Sequence, residues 1–217
     1  MKNKIFNNIL AIILSLGFFS CEDYVDYEAS EAYIIVADDY FKTSADYEAA
    51  LIGTYDVLQW NIYSIMIGDI ASDNSLCGGE SATDVVGLQK IDDMIHDPVN
   101  DQLTSTWKWM YEGINRANYL VENKDKIQFT RKDELYGEVQ FLRAYYYFEL
   151  VKIFGDVPLF TTSRLTAGDS GTLSRSPKAE VYAQIEVDLK AAIASLPAAK
   201  STNGRATSFT AHALLGK

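Results

Sequence analysis

The sequence predicts a mostly α-helical fold with long, polar loops, and three observations carry that prediction. Apolar residues recur at three- and four-residue steps in several separate segments. These segments open on residues that cap helices and close on glycine or proline. Between them lie stretches rich in Gly, Asn, Asp, Ser and Thr where the periodicity stops. The chain has 217 residues, 48% of them hydrophobic and 12% aromatic. That is enough to build one sizeable core, or part of a larger one, and too apolar for a disordered chain.

The elements follow in order. In "TSADYEAALIGTYDVLQW" Thr43 stands three residues before Asp46, an arrangement that satisfies the orphan amides of a helix start. Tyr47, Leu51, Tyr55 and Leu58 then recur at helical spacing. From Asn61 to Thr104 the pattern breaks at Asn74, Gly78-Gly79, Pro98, Asn100 and many aspartates. This reads as a long loop region with one short element, and a loop of that length is often functional. "STWKWMYEGINRANYLVEN" restores a helix, with Trp107, Met110, Ile114, Ala117 and Val121 on one stripe.

Thr130 with Asp133 marks the next helix start, and the pattern runs to Phe154, where Gly155 and Pro158 stop it. Its aromatics point all round: Phe141, Tyr145 and Phe148 share one face, Tyr147 and Val151 a second, and Leu142, Tyr146 and Ile153 a third. A helix apolar on every side is buried between neighbours, so the three consecutive tyrosines are read as packing rather than a ligand platform. A second loop, residues 161–175, is rich in Gly, Ser and Thr. Ser176 then caps a helix with Pro177 at its first position and a stripe of Val181, Ile185, Leu189, Ile193 and Leu196. "RATSFTAHALLGK" begins a further helix, and the sequence stops inside it.

"MKNKIFNNILAIILSLGFFSC" has a basic tip, an apolar run from Ile9 to Phe19, and Ser20 before Cys21. About 20 apolar residues are needed to cross a bilayer, so this run is a processing signal and not a membrane span. It resembles a bacterial lipoprotein signal whose cysteine carries the lipid, although Phe18-Phe19-Ser20 replaces the usual small-residue box; a plain secretory peptide is the alternative. The expected organisation is a signal peptide over 1–20, a lipidated tether over 21–42, and a helical domain over 43–217. After processing, Cys77 is the only other cysteine. No intrachain disulfide is then possible, and no electropositive neighbours activate this thiol.

The net charge is −11, and removing residues 1–20, which hold Lys2 and Lys4 and no acids, leaves 17 − 30 = −13. No basic stripe exists, which argues against nucleic-acid binding. Catalysis finds no support either. His96 and His212 are not in metal-ligand spacing, and no GxSxG elbow, P-loop or GxGxxG is present, so no metal or cofactor is expected. Asp92, Asp93, Asp97 and Asp101 form an acidic run that lacks EF-hand spacing and reads as a solvated loop. A binding role needs only flat aromatic faces and a few fixed polar groups. Trp60 and Tyr63 open the long loop region and Trp109 follows it, off the apolar stripe that takes in Trp107. Trp60, Tyr63 and Trp109 are therefore the candidate carbohydrate-binding residues, with packing at helix ends as the alternative for each.

"EVQFLRAYYYFELVKIFGDVPLF" resembles the hallmark segment of the SusD/RagB family of outer-membrane nutrient-uptake lipoproteins. Cys21 with its acidic followers, "ADYEAALIGTYDVLQ", "WKWMYEGINRANYLVEN", "SPKAEVYAQIEVDLKAAIASLP" and "GRATSFTAHALLGK" agree in the same order. The resemblance implies a helical scaffold related to tetratricopeptide repeats, although no strict repeat consensus is readable. It also implies lipid attachment at Cys21 and display on the outer face of a Bacteroidetes-type outer membrane. Further implied are a SusC-like TonB-dependent transporter as partner and capture, not cleavage, of glycans or peptides; a helical protein-interaction scaffold is the alternative. Family members are more than twice this long, so the chain is expected to be the N-terminal portion of a larger SusD-like fold, with much of the ligand site drawn from the remainder.

Overall fold

The computed structural model describes residues 40–217, apart from 73, 82, 167, 170, 172 and 200–203. Cys21 and most of the expected tether lie outside the described residues. The described part forms seven helices: α1 (Ser44–Asp56), α2 (Asn61–Ile70), α3 (Val86–Asp92), α4 (Asp101–Glu122), α5 (Lys132–Phe154), α6 (Lys178–Ser195) and α7 (Ser208–Leu215). A 3-10 turn, Val57–Trp60, joins α1 to α2. One compact unit begins at Phe41, which is 1% exposed and packs its ring on Tyr47 at 4.7 Å.

α5 is the centre, packed against α4, α6 and α1. Fourteen of its 23 residues are buried, so its side chains meet protein on nearly every side. Tyr146 and Tyr147 are fully buried. The Tyr146 hydroxyl donates to the Thr54 carbonyl at 2.6 Å, and that of Tyr147 donates to the Phe160 carbonyl at 2.7 Å while accepting from its N–H at 3.0 Å. The tyrosines are packing that also ties α1 and the 158–161 segment to α5. α4 comes close enough to α5 that a Cβ at Gly113 would collide with the Tyr146 ring.

The hallmark segment holds three helices together through one cation. Arg143, 7% exposed, makes a bidentate pair with Asp188 of α6, 2% exposed, at 2.8 and 2.7 Å. Its remaining nitrogen donates to Asn118 Oδ1 of α4 at 2.9 Å and to the Thr161 carbonyl. Asn118 in turn donates to the carbonyls of Phe160 and Ser163, both at 3.1 Å. Gly155 takes φ +68° at the C-terminus of α5, a conformation other residues avoid. A second buried network fixes the 204–207 segment. Arg205 pairs with Glu138 at 2.7 Å and Glu48 at 2.8 Å, and the Tyr55 hydroxyl donates to Glu138 at 2.6 Å.

Three sequence expectations are corrected. Residues 61–104 are not one loop with a single short element, because α2, α3 and the start of α4 occupy much of it. Ile67 and Ile70 of α2 and Leu88 and Ile91 of α3 bury one another in a small separate cluster, which the intervening polar run hid. α4 starts at Asp101 because the Asn100 side chain accepts from the amides of Gln102 and Leu103. Thr130 does not cap α5; Arg131 stands at the N-cap with φ +69° and its guanidinium pairs with Glu134 at 2.8 Å. Nor does Ser176 cap α6. It bridges Val157, and the Lys178 amide donates instead to Asp156 Oδ1 at 2.8 Å, a partner 22 residues back. The Thr43–Asp46 capping box forms as expected, and Thr207 with Thr210 makes the same device for α7.

Candidate functional site

The 3-10 turn redirects the chain out of α1 and lays the start of α2 against α4. This brings the three candidate aromatics together. The Trp60 indole stacks on Trp109, with centroids 4.7 Å apart and planes 10° from parallel. Tyr63 packs on Trp109 at 4.5 Å and 49°, and lies 6.3 Å from Trp60. Trp60 is 36% exposed, whereas Trp109 and Tyr63 are half-buried. Trp109 is the less exposed partner of the stack, and Trp60 is the most exposed of the three aromatics. Tryptophan faces of this kind pack on the C–H faces of sugar rings, with hydroxyls left to polar groups at the edge.

Two polar atoms of the same helix stand apart from these faces. Asn61 Oδ1 and Ser64 Oγ, interleaved in sequence with Trp60 and Tyr63, are buried atoms with no hydrogen-bond partner among the described residues. Ser64 is 5% exposed. An unsatisfied buried oxygen costs about 1–3 kcal/mol, and a bridging water is its usual partner. The Asn61 side chain also reaches the Tyr145 hydroxyl of α5. Burial pushes the Tyr145 phenol above its ordinary range, with Glu149 adding to the shift and Asn61 working against it. In the sequence, Asn61 read only as the first residue of a broken stretch.

The charged groups around the aromatics are already paired. Arg116 of α4 donates to Glu112 at 2.8 Å and to the Gly53 carbonyl, and lies 3.5 Å from Asp56. Lys152 of α5 is held by both oxygens of Glu149 at 2.8 Å. Trp107, placed on the buried stripe by its spacing, is half-buried and sits in another cluster. It lies edge-on to Phe154 at 5.0 Å and beside Tyr111 at 4.9 Å.

The acidic run serves local structure. Asp92 accepts from the Cys77 amide at 2.8 Å, Asp97 pairs with Lys90 at 3.0 Å, and Asp101 begins α4. The Lys90 contact, followed by the Val99 amide, holds the Asp97 carboxyl below the usual carboxylate range. His96 and His212 are exposed. Among the described residues no group of three or more His, Cys, Asp or Glu side chains converges as a metal site. Cys77 packs beside the α2–α3 cluster. Burial and then the nearby Asp92, Asp84 and Asp93 push its thiol up, which keeps it protonated and unreactive at neutral pH.

A family model described as starch-binding and associating with the outer membrane matches residues 28–217. The chain belongs to the SusD/RagB family. It is 28% identical to SusD-like protein P25 of Formosa agariphila over 96% of this chain and 41% of that protein. Among solved structures, it superposes on a laminarin-binding SusD-like protein with a TM-score of 0.74 at 31% identity, covering 81% of this chain and 40% of the other. The surface glycan-binding protein A of Bacteroides uniformis gives a TM-score of 0.70 at 27% identity, covering 80% and 41%. The chain thus spans about two-fifths of the length of these SusD-like relatives. Its mostly helical fold is the one they share.

Proposed function

We propose that this SusD-like chain captures glycans at the cell surface and passes them to a SusC-like TonB-dependent transporter. The observation that carries the reading is the Trp60–Trp109 stack, with Tyr63 at its side and Trp60 exposed to solvent. Two relatives, one named for laminarin binding and one for surface glycan binding, support a carbohydrate as the ligand. The role proposed is binding, which the names of these two relatives support. No helix among the described residues is long and apolar enough to cross a membrane. Attachment to the outer membrane is assigned to lipid on Cys21, after removal of residues 1–20, with residues 21–42 as the tether.

The test is a Trp60→Ala/Tyr63→Ala double variant, assayed for glycan binding and for co-purification with a SusC-like transporter. Loss of glycan affinity with transporter association intact is the expected outcome. Unchanged affinity for glycan would return both residues to packing, and peptide binding that survives in the variant would favour peptide capture.

A further inference from the structure

We infer that the exposed ionic fan of Asp56, Gln59, Glu112 and Arg116 is the polar edge of the Trp60 platform, with Glu112 as the group that meets a sugar hydroxyl and Arg116 as the residue that positions it. This rests on the glycan-capture reading above and assigns the polar half of that site. Placement and unused hydrogen-bonding capacity carry it.

The end of α1, with its 3-10 turn, runs antiparallel to α4. The Gly53 carbonyl and Asp56 meet Arg116, and Trp60 meets Trp109. On α4, residues 109, 112 and 116 follow a three-residue and a four-residue step and so share one face. Gly53, Asp56 and Trp60 repeat the same steps on the opposing side. The seam between the two therefore holds the indole stack at one end and the ion pairs at the other, seven residues of α4 or about 10 Å along its axis. It is open to solvent over that length. Trp60 is 36% exposed, and the side chains of Asp56, Glu112 and Arg116 are 59%, 52% and 39% exposed.

The fan is held by single atoms. Arg116 Nε donates to Glu112 Oε1 at 2.8 Å, Arg116 Nη1 donates to the Gly53 carbonyl, and Gln59 Nε2 donates to Asp56 Oδ1 at 3.1 Å. Among the described residues this leaves Glu112 Oε2 and Gln59 Oε1 as unused acceptors and Arg116 Nη2 as an unused donor. A sugar hydroxyl both donates and accepts, and so requires donors and acceptors side by side. Bonds to charged groups are the stronger kind, and side chains already fixed by one another lose little freedom when a ligand arrives. Exposed ion pairs add little to stability, so the fold itself has small need of this arrangement.

The experiment titrates the full chain and its variants with laminarihexaose, a probe chosen because one relative is named for laminarin binding, and records thermal unfolding of each. Glu112→Ala and Arg116→Ala should each weaken binding at least about tenfold, with melting temperatures within about 2 °C of the parent chain. Glu112→Gln, which keeps an acceptor oxygen, should recover most of the affinity. The Glu112→Ala/Arg116→Ala double variant should bind no more weakly than the worse single one, because Arg116 acts through Glu112. Lys190→Ala breaks an equally short exposed pair on α6, with Glu186, and should leave affinity unchanged. Full affinity in Glu112→Ala, where Trp60→Ala still weakens binding, would overturn the inference and leave the platform standing. Additive losses in the double variant would overturn the positioning role of Arg116. Absence of Trp60-dependent binding to laminarihexaose, maltohexaose and cellohexaose alike would remove the platform itself, and the inference with it.

Discussion

The α4–α5–α6 centre and the α1–α2 elbow both present clustered aromatics, yet they put them to opposite uses. In the centre the buried tyrosine hydroxyls are spent: Tyr146 on Thr54, Tyr147 on Phe160, Tyr136 on the Leu120 carbonyl at 2.7 Å. The buried charges there are likewise closed, Arg143 by Asp188 and Asn118, Glu138 by Arg205 and Tyr55. At the elbow, Trp60 stays exposed to solvent while stacked on Trp109. Satisfied polar groups specify a fold, whereas an exposed aromatic stack leaves area for a partner to cover. The segment that identifies the family is thus the one that builds the scaffold, with Tyr146 and Tyr147 as its packing.

Breaking the centre should cost most. Arg143→Ala leaves the Asp188 carboxylate buried without its cation, and a loss of about 3–5 kcal/mol is expected in chemical denaturation. Gly113→Ala drives a methyl into the Tyr146 ring, and overpacking of this kind costs about 1–3 kcal/mol. Both variants should lower the melting temperature well before they alter glycan affinity at low temperature.

The closed hydroxyls also predict an alkaline transition. Burial, as the largest cause, raises the phenol pKa of Tyr55, Tyr136, Tyr146 and Tyr147 above the ordinary value of 10.0. Because the folded values are raised, this stabilisation is fully present below pH 10 and is lost as pH climbs toward them. Above pH 10 the unfolded chain ionises first, so the share of the tyrosinate absorbance due to these four of the fourteen tyrosines should rise together with loss of helical signal and not ahead of it. Full ionisation of all the tyrosines with the helix intact would show that these hydroxyls are not sealed.

The smaller effects on stability belong to the helix caps and to the elbow. Asn100→Ala removes the acceptor for two amides at the start of α4 and the donor to the buried Gly87 carbonyl, and should cost about 1–2 kcal/mol. The Asp46 carboxyl is held down chiefly by the Thr43 hydrogen bonds, so its support for α1 is present above the unfolded value of 3.8 and lost as pH falls through the depressed one. Asp46→Asn should remove that acid dependence at α1, read as a smaller loss of stability between neutral and acidic pH, whereas Thr43→Ala keeps the backbone amides that donate to Asp46 and should remove only part of it.

What was legible in the sequence follows the same division. The helical period of α5 and the stripes of α4 and α6 showed in the residues because burial on a helix repeats at fixed steps. The all-round apolar character of α5 was enough to place Tyr146 and Tyr147 in the core. The caps of α5 and α6 were misplaced because the contacts that replace Thr130 and Ser176 come from elsewhere: the Arg131–Glu134 pair and the distant Asp156. α2 and α3 were lost in a polar run because their shared cluster of Ile67, Ile70, Leu88 and Ile91 needs two short helices brought together in space. Trp60, Tyr63 and Trp109 could be nominated singly, from residue type and position. Their stacking depends on the 3-10 turn at Val57–Trp60, which carries no sequence signature.

The most direct test of the division between scaffold and platform is Trp60→Ala alone, with glycan affinity and thermal unfolding measured on the same preparation. At least about tenfold weaker binding, or about 1.4 kcal/mol, with a melting temperature close to that of the parent chain, is the expected result. Unchanged affinity, or a fall in melting temperature comparable to that of Arg143→Ala, would contradict it and make Trp60 one more packed aromatic.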